Sequence, residues 1–90
     1  MAERPMTIVY HKDFKKNYKK LSPKLREKLE ERLRLFSEDE FNPILNNHAL
    51  NGKYLGYRSI NVTGDIRAIF RRESEEVIFV AIAGHSNLYG

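Results

Sequence analysis

Ninety residues with an apolar share of 41% suffice for one small core, and the absence of cysteine excludes both a disulfide framework and a thiolate metal site. The net charge of +4 favours an acidic partner over a neutral one. No apolar run approaches the roughly 20 residues of a membrane span, and Met1–Pro5 lacks a signal-peptide core, so no membrane partner and a cytoplasmic setting are expected.

Taken in order, Met6-Thr7-Ile8-Val9-Tyr10 is rich in β-formers after Pro5 and predicts a first strand. Asp13 suits the free N–H groups of a helix start, and Phe14, Tyr18 and Leu21 then fall at i, i+4 and i+7 on one stripe. Lys12, Lys15, Lys16, Lys19 and Lys20 project away from it, either as a solvated face or as phosphate contacts. Ser22-Pro23 ends this helix and opens the next, because serine caps and proline fits the first helical position. Leu25, Leu29, Leu33 and Phe36 predict an amphipathic helix of about 15 residues, completing a helical hairpin.

Asn46 to Gly52 reads as a polar connection, followed by a strand over Tyr54–Val62. Thr63-Gly64 breaks the chain before Ile66–Arg72, which predicts a β-hairpin; Glu73–Glu76 is the next turn. Val77–Ile82 is apolar on both faces and predicts a central, well-covered strand. The expected class is α+β: an N-terminal strand, a helical hairpin, then a three-stranded antiparallel meander completing a four-stranded sheet, in a single domain over residues 1–90. The helices should cover one face and leave the other partly open.

The chemistry concentrates in the second half. Between Phe41 and Arg72, Asp65 is the only acid among Lys53, Arg58, Arg67, Arg71 and Arg72, a basic excess that makes nucleic acid the simplest polyanion to propose. Arg67 and Arg71 share a parity along their strand, so both guanidiniums should stand on the open face, suited to phosphate. His85 follows the central strand and His48 lies in the polar loop; three histidines without tight spacing make a poor metal site. Together, histidine, aspartate and arginine are the types needed to cut RNA without a metal. A base takes the ribose 2′-OH proton, a cation stabilises the phosphorane charge and an acid protonates the leaving 5′-oxygen. Tyr54, Tyr57 or Tyr89 could stack a base.

These residues carry a resemblance. His48-Ala49-Leu50-Asn51-Gly52, Gly56-Tyr57-Arg58, Asp65 and Gly84-His85-Ser86-Asn87-Leu88-Tyr89-Gly90 resemble the RelE/ParE superfamily of bacterial type II toxins, the YafQ-like branch above all. The resemblance implies an mRNA interferase: an endoribonuclease that cleaves mRNA on the ribosome, uses no cofactor and is neutralised by a cognate antitoxin. It implies catalytic roles for His48, Asp65 and His85, with Arg67 similar to the strand arginine of RelE-type toxins. RNA contacts would come from Lys53, Arg58, Asn61, Arg71 and Tyr89. Asn61 stands where that branch often has a further histidine, and Ala81 where it can have an arginine, so Arg67 would have to supply the missing cation. The rival expectations are a ParE-like inhibitor that binds DNA gyrase without cleaving anything, and a binding-only relative.

Overall fold

The structure, a computed structural model, describes residues 7–84. Its elements are β1 (Thr7–Tyr10), α1 (Lys12–Lys19), α2 (Pro23–Glu38), β2 (His48–Ala49), β3 (Arg58–Asn61), β4 (Ile66–Glu73) and β5 (Glu76–Gly84), with 3₁₀ turns at Pro43–Leu45 and Gly52–Tyr54. The sheet has five strands in the order β1-β5-β4-β3-β2, with β1 parallel to β5 and every other pair antiparallel. The expected four-strand count is therefore corrected by β2. That strand is two residues long, and only its pairing with Arg58 and Ser59 makes it a strand.

Local chemistry accounts for the helix starts. Ser22 caps α2 by accepting from Leu25 N–H at 3.2 Å, with Pro23 at the first position. The cap of α1 is His11, whose Nδ1 accepts from Asp13 N–H at 3.1 Å; Asp13 itself sits in the first turn. Arg26 closes the hairpin, donating from Nη2 to the Lys19 carbonyl at 2.9 Å and from Nε to that of Tyr18 at 3.3 Å. Carbonyls that α1 cannot satisfy internally thus find a partner on α2.

Both helices lie on one face of the sheet. Phe14 of α1 meets Tyr10 and Phe79 at ring-centroid distances of 5.1 and 5.7 Å; Phe36 of α2 meets Phe70 and Phe79 edge-on at 5.0 and 5.4 Å. Leu29, Leu45, Ile60, Val62, Ala68 and Val77 complete this core. The central position foreseen for the strand of Val77–Ile82 is that of β5, between β1 and β4. Where β1 ends, the side chain of Asn17 takes over its pairing role, accepting from Ile82 N–H at 2.9 Å.

Two strand limits differ from expectation for backbone reasons. The run Tyr54–Val62 pairs only over Arg58–Asn61, because Gly56 at φ 94° turns the chain and Gly52–Tyr54 coils as 3₁₀. The β3–β4 connection spans four residues rather than two: Thr63 Oγ1 accepts from the N–H groups of Asp65 and Ile66, so a side chain organises the turn. The β4–β5 turn is tight, with Ser74 at φ 57°.

Candidate active site

Directly opposed residues of neighbouring strands share a face, so the register maps the side of the sheet away from the helices. One row runs His48, Ser59, Ile69, Ala81; the next runs Asn61, Arg67, Ala83. Arg67 and Arg71 do stand on this face. Ile69, Ile78 and Ala83 are buried there as well, so the face is partly covered rather than bare.

The centre of the site is a contact between His48 and Arg67. Arg67 Nη1 lies 3.1 Å from His48 Nε2, and His48 Nδ1 lies 2.7 Å from the carbonyl oxygen of Asn46. A guanidinium can only donate and a carbonyl can only accept, so the two partners settle the tautomer. With the carbonyl accepting and the guanidinium donating, the ring carries its proton on Nδ1 and turns its Nε2 lone pair toward the cation. Asn46 has φ 47° and ψ 51°, a left-handed conformation that asparagine tolerates, and its carbonyl holds the ring. Asn61 opposes Arg67 on the neighbouring strand and its Oδ1 is buried without a hydrogen-bond partner; the same holds for Ser59 Oγ beside His48. Two unspent polar atoms therefore flank the histidine–arginine pair.

The other sequence-derived residues divide into groups. Asp65 is exposed on the Thr63-organised turn, two residues before Arg67, and its carboxylate makes no hydrogen bond or ion pair among the described residues. Arg58 is not brought to this centre. Its Nε donates to Asn47 Oδ1 at 2.8 Å, and its guanidinium lies 5.9 Å from the Phe41 ring centroid, so it clips the loop that delivers His48. Lys53 and Arg71 both line a separate hollow. The chain leaves β5 at Gly84, opposite Ile66 and so beside Asp65; His85 and Tyr89 lie outside the described residues.

Asn46 and Ser59 were missed as functional candidates from sequence. Parity could have found Ser59, two residues before Asn61, whereas the orienting carbonyl of Asn46 leaves no trace in residue type. The shifted titrations belong to the helix side: burial raises Tyr10, and Tyr18 is raised by its hydrogen bond to Glu30. No group of three or more His, Cys, Asp or Glu side chains among the described residues is placed to hold a metal ion. Nor is any described helix long and apolar enough to cross a membrane.

Comparison with known proteins joins this geometry to a family. Residues 6–90 match the model of a bacterial toxin of type II toxin–antitoxin systems, YafQ. No curated protein sequence matches significantly. Among solved structures, the chain is similar to YafQ from E. coli strain BL21(DE3), with a TM-score of 0.77 and 22% identity over 92% of this chain and 97% of that one. It is similar to a chain of the E. coli DinJ–YafQ toxin–antitoxin complex, with a TM-score of 0.78 and 22% identity over 97% and 100% of the two chains. A YoeB/ParE toxin from Agrobacterium tumefaciens gives 0.72 and 20% over 89% and 99%. At these identities the structural likeness speaks for the fold, and the family match speaks for membership.

Proposed function

Because the chain belongs to the YafQ family of bacterial type II toxins, we propose that it is an endoribonuclease that cleaves mRNA on the ribosome and is held inactive by a cognate antitoxin in the cytoplasm. The observation that carries this reading is the contact of His48 Nε2 with an Arg67 nitrogen at 3.1 Å, with Nδ1 held by the Asn46 carbonyl. An imidazole kept unprotonated at Nε2, with a cation at hand, is equipped to accept a proton next to a phosphate.

In the cleavage step the scissile phosphate draws the Arg67 guanidinium off His48 Nε2, and the lone pair so freed takes the proton of the ribose 2′-OH as O2′ attacks the adjacent phosphorus. The imidazole is then protonated on both nitrogens and no longer competes with the phosphate for Arg67. The guanidinium turns its N–H groups to the phosphorane oxygens, where negative charge has gathered. The P–O5′ bond breaks and the leaving oxygen takes a proton from His85, to which the family resemblance gives a catalytic role. The products are a 2′,3′-cyclic phosphate and a 5′-hydroxyl. Asp65 orients or recharges the acid from the neighbouring turn, and Asn61 contributes its free amide oxygen to the ribose. The nucleophile is part of the substrate, so the chemistry draws on no metal.

The antitoxin is inferred from family membership, together with the complex in which the E. coli relative is seen. The test is induction with and without a co-expressed antitoxin, followed by mapping of mRNA 5′ ends. Wild type should produce cuts within translated codons that vanish when the ribose at the cut carries no 2′-OH. Arrested replication with intact mRNA would overturn the reading in favour of a toxin that only binds.

A further inference from the structure

The open face carries a second polar hollow, of about 320 Å³, lined by His11, Asp13, Lys53, Tyr54, Tyr57 and Arg71. Four parts of the chain build it: the start of α1, the 3₁₀ turn after Gly52 with its following loop, β4, and β5, whose Val80 and Ala81 form the floor. Its floor is open for two reasons. The β4–β5 register shifts at Ile69/Phe70, leaving Val80 as an extra residue that bends β5, and Ala81 contributes only a methyl group.

The lining is specific in type. Tyr54 and Tyr57 meet edge-to-face with centroids 5.7 Å apart, and Lys53 Nζ lies 5.5 Å from the Tyr54 centroid. Arg71 spends Nε on Glu73 at 3.3 Å, and no described partner takes its Nη groups. At the rim, Asp13 can only accept. His11 Nδ1 already accepts from Asp13 N–H, which leaves Nε2 to carry the ring proton and donate. Aromatic faces, two cations and a donor–acceptor pair thus share one small cavity. A planar base attached to a phosphate matches all three.

We propose that this hollow is a nucleotide subsite: one base of single-stranded RNA packs on Tyr54 and Tyr57, a flanking phosphate sits between Lys53 and Arg71, and His11 and Asp13 read the base edge. It deepens the ribonuclease reading and rests on it for the identity of the strand. The nucleotide held here is not the one that is cut. Arg71 stands four residues along β4 from Arg67, roughly 13 Å at about 3.3 Å per residue, and the two guanidiniums turn to different partners, Glu73 and His48. The hollow therefore sets which neighbouring sequence context is favoured, while His48 and Arg67 set the bond that breaks.

The test uses the full chain and a short 2′-O-methyl oligonucleotide, which binds but cannot be cleaved, scanned with an abasic nucleotide at each position. Wild type should lose about tenfold in affinity when the abasic position falls in the hollow, as expected for one stacked base. Tyr57→Ala, and Ala81→Leu, which fills the floor without removing a polar group, should each abolish that loss. In natural mRNA both should relax the sequence context found around the cut. Asp13→Ala should flatten the base preference at the hollow position alone. If the two variants lose affinity in the scan as wild type does, the subsite is overturned while the ribonuclease reading stands. If wild type shows the scan but cuts no mRNA, the ribonuclease reading fails and the subsite stands. A wild-type chain that does not bind the oligonucleotide overturns the subsite outright.

Discussion

The two faces of β4 are built by different rules. Ala68 and Phe70 look into the helices and are buried against Phe36, Phe79 and Ile60. One residue away, Arg67 and Arg71 look out, and each finds its neighbours on a different loop: His48 on the segment after Asn46, and Lys53 and the tyrosines on the segment after Gly52. The inner face is held by packing, which is non-directional and asks only for apolar volume. The outer face is held by directional contacts between side chains that no single element carries. Stability should therefore reside on one side of the strand and activity on the other.

Substitutions can break that division. Phe36→Ala, which removes a ring contacting both Phe70 and Phe79, should lower the unfolding free energy by about 3–5 kcal/mol in urea titrations. Arg67→Ala should cut the rate of mRNA cleavage by roughly 10²–10³-fold while leaving the unfolding free energy within about 0.5 kcal/mol of wild type. A large stability loss in Arg67→Ala would show that the outer contacts are structural after all.

A finer probe lies in the loop that carries His48. Asn46→Ala keeps the chain but forces alanine into the left-handed region, at a cost of roughly 1–2 kcal/mol, and should slow cleavage by disturbing the carbonyl that holds the imidazole. Asn46→Gly should restore the rate, since glycine adopts that conformation without strain. If both variants cleave like wild type, the carbonyl does not orient the base.

The smallest effect belongs to the inner side. Burial raises the Tyr10 hydroxyl above its ordinary 10.0, so the folded state holds that proton more tightly than the unfolded chain. The resulting stability is complete below pH 10.0 and is lost as pH rises through the folded-state value. Alkaline unfolding followed by circular dichroism should start later in Tyr10→Phe. An earlier onset would place the hydroxyl in a role other than a buried, protonated one.

Much of the inner side was legible in the residues. The stripes Phe14/Tyr18/Leu21 and Leu25/Leu29/Leu33/Phe36 repeat at helical spacing, Ser22-Pro23 marks its own helix start, and Ile66/Ala68/Phe70 alternate at the period of a strand. These signals are local: each follows from how side chains fall along a helix or strand a few residues long. Family membership was legible too: the resemblance carried by His48, Gly56-Tyr57-Arg58, Asp65 and Gly84-His85 agrees with the family match over residues 6–90.

What the sequence by itself determined was therefore which elements form, which side of each is apolar, and which residue types could act on RNA. Only the tertiary structure decided that His48 pairs with Arg67 rather than with Asp65, that Arg58 braces a loop, and that His11 and Asp13 meet Lys53 and Arg71 across a hollow. It also decided that His48–Ala49 is a strand, since two residues carry no periodicity and acquire an assignment only from the partner they bond. The physical reason is common to all four. Hydrogen bonds over roughly 3 Å between residues far apart in sequence depend on strand register, on one bulge and on left-handed turns, and these are set by the packing of the whole sheet rather than by any residue's own preference.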